Sequence, residues 1–382
     1  MADTHYLCID IGTTWAKLGH FLLRNGGFPM VSETRLPSVV DALEGIESVK
    51  VFTDFVERLC QKIYSLLSEY PIESIGLTGI REGLAAVDIL GKVHFVSGNC
   101  ILENAIDNSH TISKTVHTGA NAVTGSGYYL LSLQGYLAYI LTGKLAITLS
   151  ELEGLGVSGT TDETPAGTES LIVPVGHPIG MCKHFQDVAV YLAGTDEQTA
   201  HFGAGLGRTA QIVMSTGSFW SLSASIKDFV PYPGCLRVIP PIPPFCGSVS
   251  LIGYRWGIYL QQILEGKKPI LSPNRPNWAK GRLLKEIEKG GSNPDNVAKI
   301  ISKDIVSGIH LLSSVTQLKK RAVISIYGGG VAHIHPLVSK IMEQVGYSWQ
   351  TIKRDATLLG CLQIGERAKR VSNTLDSEWT IQ

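Results

Sequence analysis

The 382-residue chain has no apolar run long enough to cross a bilayer, no excess of charge of either sign and no paired-cysteine motif. A membrane-spanning helix needs ~20 consecutive apolar residues, so no membrane partner is expected. Lys and Arg number 33, as do Asp and Glu, giving a formal net charge of zero with no long run of one sign. That balance argues against a nucleic-acid partner, which calls for a basic face. The seven cysteines (Cys8, Cys60, Cys100, Cys182, Cys235, Cys246, Cys361) have no CxxC pair and no regular spacing. They read as buried or free thiols in a reducing compartment. Met1-Ala2-Asp3-Thr4-His5 is neither a basic segment nor the start of a long apolar one, so no signal peptide is expected and the protein is expected in the cytoplasm. Charged residues make up only 17% of the chain and hydrophobic ones 44%, enough apolar material for two buried cores. At ~100–200 residues per domain, two domains are expected, here divided as 1–190 and 191–382.

The first half alternates strands and helices. Leu7–Asp10 and Ala16–Phe21 predict a hairpin around Gly12-Thr13-Thr14. Phe55, Val56, Leu59, Ile63, Leu66, Leu67 and Tyr70 share one helical face, with Asp54 to Glu57 as a cap of capping-box type. Strands are expected at Ile75–Thr78 and Ala85–Leu90, and a helix over Leu130–Leu141 that stops at Thr142-Gly143. In the second half Val188–Leu192 and Gln211–Met214 read as strands. The proline-dense stretch Pro231–Pro244 reads as an irregular strap or a polyproline ligand, and Gly266–Asn296 as an exposed excursion. Ile305–Leu318 is expected to be helical, Ala322–Ile326 a strand, Pro336–Val345 a helix, and a last helix is expected from about Ala356 to Lys369.

Four turns at strand ends carry the chemistry. In Asp10-Ile-Gly-Thr-Thr14, glycine lets the backbone approach an anion and the threonines add donors. Asp10 would be repelled by a phosphate, so its functional reading is Mg²⁺ or the water around it, although a plain hairpin turn uses the same residues. Lys17 is either aimed back at this turn or a solvated strand lysine. Asp196, in Gly194-Thr-Asp-Glu-Gln198, reads as a general base or as a helix N-cap. It lies 186 residues after Asp10, so each half is expected to open on one Asp turn. Thr216-Gly217-Ser218 and Gly328-Gly329-Gly330 are further donor-rich turns, the latter leading into a helix whose N-terminus suits a phosphate. His333 and His335 form an alternating pair that suits a metal but lack a third ligand nearby in sequence. Tyr254-Arg255-Trp256 reads as packing with a surface arginine.

In this order the motifs resemble those of the FGGY carbohydrate kinases, within the larger group of actin-like ATPases. The resemblance rests on Asp10 to Lys17, Ile75 to Gly79 with Ala85–Asp88, Tyr136 to Gly143, Ala193 to Ala200 with Gly203-Ala-Gly205, Ser215 to Trp220, Gly328–Gly330 and Ala356 to Leu362. It implies an α/β fold of two actin-like (ribonuclease-H-like) domains with a cleft between them, binding ATP and a sugar or polyol. It also implies Asp196 as catalytic base and substrate contact, and Asp10 on Mg²⁺. Gly12, Thr13, Thr14, Lys17, Thr216, Gly217 and Ser218 are implied at the phosphates, and Gly328, Gly329 and Gly330 at the adenosine and α-phosphate.

The chain also departs from the family. It is shorter than most members. Ile80-Arg-Glu-Gly83 stands where many have Gln-Met-His-Gly, and Cys100 to Asn104, followed by Asp107-Asn108, where they have a Trp-x-Asp-x-Arg sugar contact. Arg81 and Glu82 are therefore the candidate substrate-setting residues, either touching the ligand or pairing with a neighbouring acid. The leading expectation is a sugar or polyol kinase using ATP and Mg²⁺, with a homodimer compatible with the sequence. The alternatives are a catalytically weak nucleotide- or sugar-binding sensor, or another transferase on the same fold.

Overall fold

The two apolar runs flanking Gly12-Thr13-Thr14 form the hairpin their pattern predicts, strands β1 (Thr4–Ile11) and β2 (Trp15–Leu23). In the computed structural model, which describes residues 4–24, 27–98, 129–155, 171–217, 220–226, 236–254, 294–316, 318, 322–328 and 335–379, they lie inside a six-stranded sheet. The sheet is completed by β3 (Met30–Pro37), β4 (Ile72–Gly79), β5 (Pro178–Cys182) and β6 (Phe185–Thr195), in the order β5-β6-β4-β1-β2-β3. The strands β1, β4 and β6 are mutually parallel; β2, β3 and β5 join antiparallel.

One face of this sheet, with Leu7, Ile9, Ile11, Ile75, Leu77, Val190 and Leu192, packs with helices α1 (Val49–Glu69) and α2 (Leu133–Thr142). Helix α1 buries Phe52, Phe55, Val56, Leu59, Ile63, Leu66 and Leu67, a three-and-four spacing that makes one apolar stripe. It begins at Val49, a turn before the expected start. Asp54 is therefore interior and pairs with Lys50 at 2.6 Å instead of capping. The expected helix over Leu130–Leu141 is split: Tyr129–Ser132 is a strand, and Ser132 caps α2 by accepting the Gly135 N–H at 2.9 Å. Gly143, left-handed at φ 79°, ends α2 where expected.

The other face carries the last helix, α7 (Ala356–Trp379), which belongs to this unit although it lies far away in sequence. A Cβ on Gly76 would stand 2.5 Å from the Tyr191 hydroxyl and 2.6 Å from the Cys361 Sγ, and one on Gly19 would stand 2.9 Å from Leu358 Cδ1. The glycines of β2 and β4 are thus what lets α7 lie close to the sheet, and the Tyr191 hydroxyl donates to the Cys361 carbonyl at 3.1 Å. Two further helices are short: α3 (Leu149–Gly154) and α4 (Asp196–Gly203).

The second unit holds a sheet of β7 (Ile212–Thr216), β8 (Trp220–Ile226), β9 (Leu236–Ile239), β10 (Gly247–Tyr254), β11 (Ile324–Tyr327) and β12 (Trp349–Thr351), in the order β9-β10-β8-β7-β11-β12. Here β7, β11 and β12 are parallel and the rest antiparallel. Helix α5 (Pro294–Val315) buries Val297, Ile301, Ile305, Ile309 and Leu312. Helix α6 (His335–Val345) buries Val338, Ile341, Met342 and Val345, and both pack on Met214, Leu222, Val249, Ile324 and Ile326. The proline-dense stretch contains a strand after all: Leu236–Ile239, free of proline, forms the edge strand β9. The expected excursion 266–296 lies outside the described residues up to 293, and α5 begins at Pro294.

Setting aside the extra edge strands β5 and β9, both sheets have one five-strand order and one set of directions: β3-β2-β1-β4-β6 and β10-β8-β7-β11-β12. This is the ribonuclease-H-like sheet, built twice. The internal equivalence differs from the one expected. The counterpart of the Asp10 turn is the turn after β7, at Thr216-Gly217, whereas Asp196 follows β6, the last parallel strand of the first sheet. The units divide as Met1–Ala200 with Thr357–Gln382, and His201–Ala356, where the sequence reading cut once at 190/191. The five described cysteines (Cys8, Cys60, Cys182, Cys246, Cys361) are free. Among the described residues no helix is long and apolar enough to cross a membrane.

Candidate active site in the first unit

The three parallel strands of the first sheet end side by side, and Asp10, Arg81, Glu82 and Asp196 lie at or just beyond those ends. In open α/β sheets ligands bind beyond the carboxyl ends of such strands. Strand β1 ends in Asp10-Ile11 and its glycine-threonine turn, β4 leads into Ile80-Arg81-Glu82, and β6 ends at Thr195, followed by Asp196-Glu197. The register aligns Lys17, Asp10 and Thr78 across β2, β1 and β4, and Gly79 with Thr195.

Asp10 is 3% exposed and takes an ion pair from Lys17 Nζ at 3.1 Å. The antiparallel register, which sets these residues opposite one another, decides the open question about Lys17: it holds the Asp10 carboxylate. In the turn beyond, the Gly12 N–H donates to the Trp15 carbonyl at 3.1 Å, while Thr13 is half-buried and Thr14 exposed.

Arg81 is nearly enclosed and its guanidinium is ion-paired with Glu153 of α3, with Glu197 Oε2 4.0 Å away. Burial works against the Arg81 cation, but Glu153, Glu197, Glu82 and Asp196 outweigh it and hold the group above its ordinary value. The acids shift in return. Burial raises Glu197 to about 7, with Arg81 opposing and Glu82 and Glu153 adding repulsion. Asp196 is raised well above the usual carboxylate range, first by burial and then by the charges of Asp10, Glu82 and Glu197. Asp196 is the first residue of α4, and its Oδ1 accepts the N–H of the next residue, Glu197, at 2.7 Å.

A buried polar network fixes the Asp196 turn from below. Ser150 Oγ accepts the Thr195 N–H at 3.1 Å and donates to Gln198 Oε1, which also accepts from Thr195 Oγ1 at 3.2 Å. Thr78 Oγ1 donates to the Gly194 carbonyl at 2.8 Å, and Thr199 Oγ1 to Ala193 at 2.9 Å. Helix α3, which supplies Ser150 and Glu153, starts with a capping box between Thr148 and Glu151. Sequence reasoning passed over Glu153 and Ser150, and took Gln198 only as the end of the Asp196 motif. The Thr148-x-x-Glu151 pattern was the available signal of a short, firmly started helix there.

In the second unit two of the expected turns touch. Thr216 Oγ1 donates to the Tyr327 carbonyl at 2.7 Å, and a Cβ on Gly328 (φ 103°) would stand 2.9 Å from the Gly217 backbone nitrogen. Only glycine fits at 328, so the ends of β7 and β11 meet backbone to backbone. Ser218, Gly329, Gly330, His333, Arg255 and Trp256 lie outside the described residues, as do Cys100 to Asn104 and Asp107-Asn108.

Among solved structures the chain is similar to a ligand-bound xylulose kinase from Lactobacillus acidophilus, with a TM-score of 0.68 and 12% identity over 96% of this chain and 90% of that one. The fold is that of the carbohydrate kinases. A Plasmodium falciparum glycerol kinase with ADP gives a TM-score of 0.68 at 12% identity, over 98% of this chain and 91% of that one. A gluconate kinase from Lactobacillus acidophilus gives 0.63 at 12% identity, over 97% and 90%. No protein-family model matches the sequence, and no curated protein does either.

Proposed function

We propose that this protein is an ATP-dependent carbohydrate kinase that phosphorylates a hydroxyl of a sugar or polyol, with Asp196 as general base. The observation that supports this most is the placement of Asp10 and Asp196 at the ends of the two parallel strands that flank β4, where the charge of Asp10 helps to raise Asp196. A base that takes a proton from an alcohol gains from a raised pKa, provided a nearby cation keeps it ionised. In this reading the oxygen of the acceptor hydroxyl attacks the γ-phosphorus as Asp196 takes its proton. The bond from that phosphorus to the β–γ bridging oxygen breaks, and ADP leaves with the electron pair. Arg81 and Glu82, beyond β4, sit with Asp196 on the acceptor side. The phosphate-binding elements are Gly12, Thr13 and Thr14 in the first unit, and Thr216, Gly217 and Gly328 in the second.

The residues present fit Mg²⁺. This ion keeps most of its waters and binds through one or two carboxylates, and Asp10, oriented by Lys17, supplies one beside Asp196. Among the described residues no group of three or more His, Cys, Asp or Glu converges as a cage, so an ion at Asp10 would remain largely hydrated. When bound, it would neutralise charge on the transferred group.

The test is sugar-dependent ADP release over a panel of ketoses, deoxyketoses and polyols. Asp196→Asn should lower turnover by ~10²–10⁴-fold, the usual weight of a general base, and leave ATP binding intact. Near-native turnover by that variant would remove Asp196 from the chemistry. Nucleotide and sugar binding without turnover in the parent would favour the sensor reading.

A further inference from the structure

Arg81 is the cation of the acceptor side, yet its charge is already answered. Glu153 pairs with Nη2, Glu197 stands 4.0 Å from Nη1, and Glu82 and Asp196 also act on the guanidinium. One cation thus faces four carboxylates. The pairing with Glu153 is built into the backbone as well. Glu153 is carried on α3, whose start is fixed by the Thr148–Glu151 capping box, and the next residue, Gly154, packs against Arg81 itself. A Cβ at Gly154 would stand 2.7 Å from both Cγ and the carbonyl oxygen of Arg81. Helix α3 therefore sets the position of the Arg81 backbone and the direction of its side chain together.

The consequence concerns ligand charge. A guanidinium is the ordinary partner of a ligand carboxylate because its planar fork matches that group. Here the fork is occupied by Glu153, so the carboxylate of a sugar acid would find no open guanidinium and would stay unpaired. A hydroxyl meets no such penalty, since it donates and accepts. Arg81 Nε and Glu153 Oε2, a donor and an acceptor, have no hydrogen-bond partner among the described residues, which is the complement an alcohol offers. We propose that Glu153 is a specificity-determining positioning residue: by orienting Arg81 and cancelling its charge, it makes the acceptor site select neutral polyols and ketoses against sugar acids.

This proposal rests on the kinase reading, so its test measures binding as well as turnover. Parent, Glu153→Gln and Glu153→Asp proteins are titrated by calorimetry with glycerol, D-xylulose and D-gluconate, and assayed for ADP release with each. The parent should bind a neutral acceptor at least ~10-fold more tightly than gluconate, since adding an unpaired like charge to a desolvated site is costly. Glu153→Gln should raise the neutral acceptor's KM by about 10-fold with little change in kcat, the mark of lost ground-state positioning, and should tighten gluconate binding. Glu153→Asp should restore the parent order. A purely structural role would weaken both ligand classes alike, and that result would overturn the proposal. So would a parent that prefers gluconate or binds none of the three. If Glu153→Gln does not fold, the double variant Arg81→Gln/Glu153→Gln, which removes the oriented guanidinium, should raise the neutral acceptor's KM by about 10-fold; an unchanged KM would refute the assignment. Selective binding without ADP release would leave this proposal standing and sink the kinase reading.

Discussion

Replacing Glu197 with Gln should flatten the pH dependence of stability in the first unit. The Glu197 carboxyl is raised from 4.5 to about 7, first by burial, with Glu82 and Glu153 adding repulsion against the opposing pull of Arg81. Its side chain is 20% exposed, so solvent screens the effect only weakly. The folded protein holds this proton more tightly than the unfolded chain. Stability from Glu197 is therefore fully present below about pH 4.5 and is lost as pH rises through about 7, because the unfolded state binds fewer protons across that window. At 1.36 kcal/mol per pKa unit the loss is at most about 3 kcal/mol. Glutamine resembles the protonated acid, so the variant should match the parent near pH 4.5 and exceed it near pH 7.5. Urea unfolding at closely spaced pH values, followed by hydrogen exchange in β4 and β6, reads the first unit by itself. Parallel profiles for the two proteins, or parent stability that rises relative to the variant through the window, would refute the reasoning.

Gly76→Ala should destabilise the first unit by about 1–3 kcal/mol, the cost of overpacking a filled contact, because the new methyl would meet Tyr191 and Cys361 at about 2.5–2.6 Å. A urea midpoint equal to the parent's would mean that α7 does not seat as described. Asp10→Ala should lower turnover and raise the magnesium concentration for half-maximal activity, since the metal neutralises charge on the transferred group. An unchanged magnesium titration would return Asp10 to a turn-forming role.

The legible parts of the fold were those encoded by local pattern. The β1–β2 hairpin and the apolar stripe of α1 follow from which residues alternate and which recur every three or four. The start of α1 was obscured because Asp54 and Glu57 look like a cap, while the helix begins after Ser48, which makes no side-chain capping bond. Leu130–Leu141 is apolar except for Ser132, Gln134 and Gly135, and so apolar a run does not by its period reveal that its first residues are a strand. The duplication was visible but paired wrongly, because the equivalence of the Asp10 turn with Thr216-Gly217 lies in the crossovers and strand order. Asp10, Lys17, Arg81, Glu82 and Asp196, which the fold brings to neighbouring strand ends, were all singled out in the sequence. Glu153 was not, since it comes to Arg81 from 72 residues away and no local rule joins the two.

The return of α7 to the first unit sets the order of events during synthesis. A ribosome delivers residues up to Ala200 first, then the whole of His201–Ala356, and only afterwards the helix that covers Gly76 and Tyr191. At 5–20 residues per second that delay is on the order of ten seconds or more. Through it, the nascent first sheet has one face packed by α1 and α2 and the other open. A fragment cut near residue 200 would keep that exposed face permanently, so its tendency to aggregate would report on the missing helix.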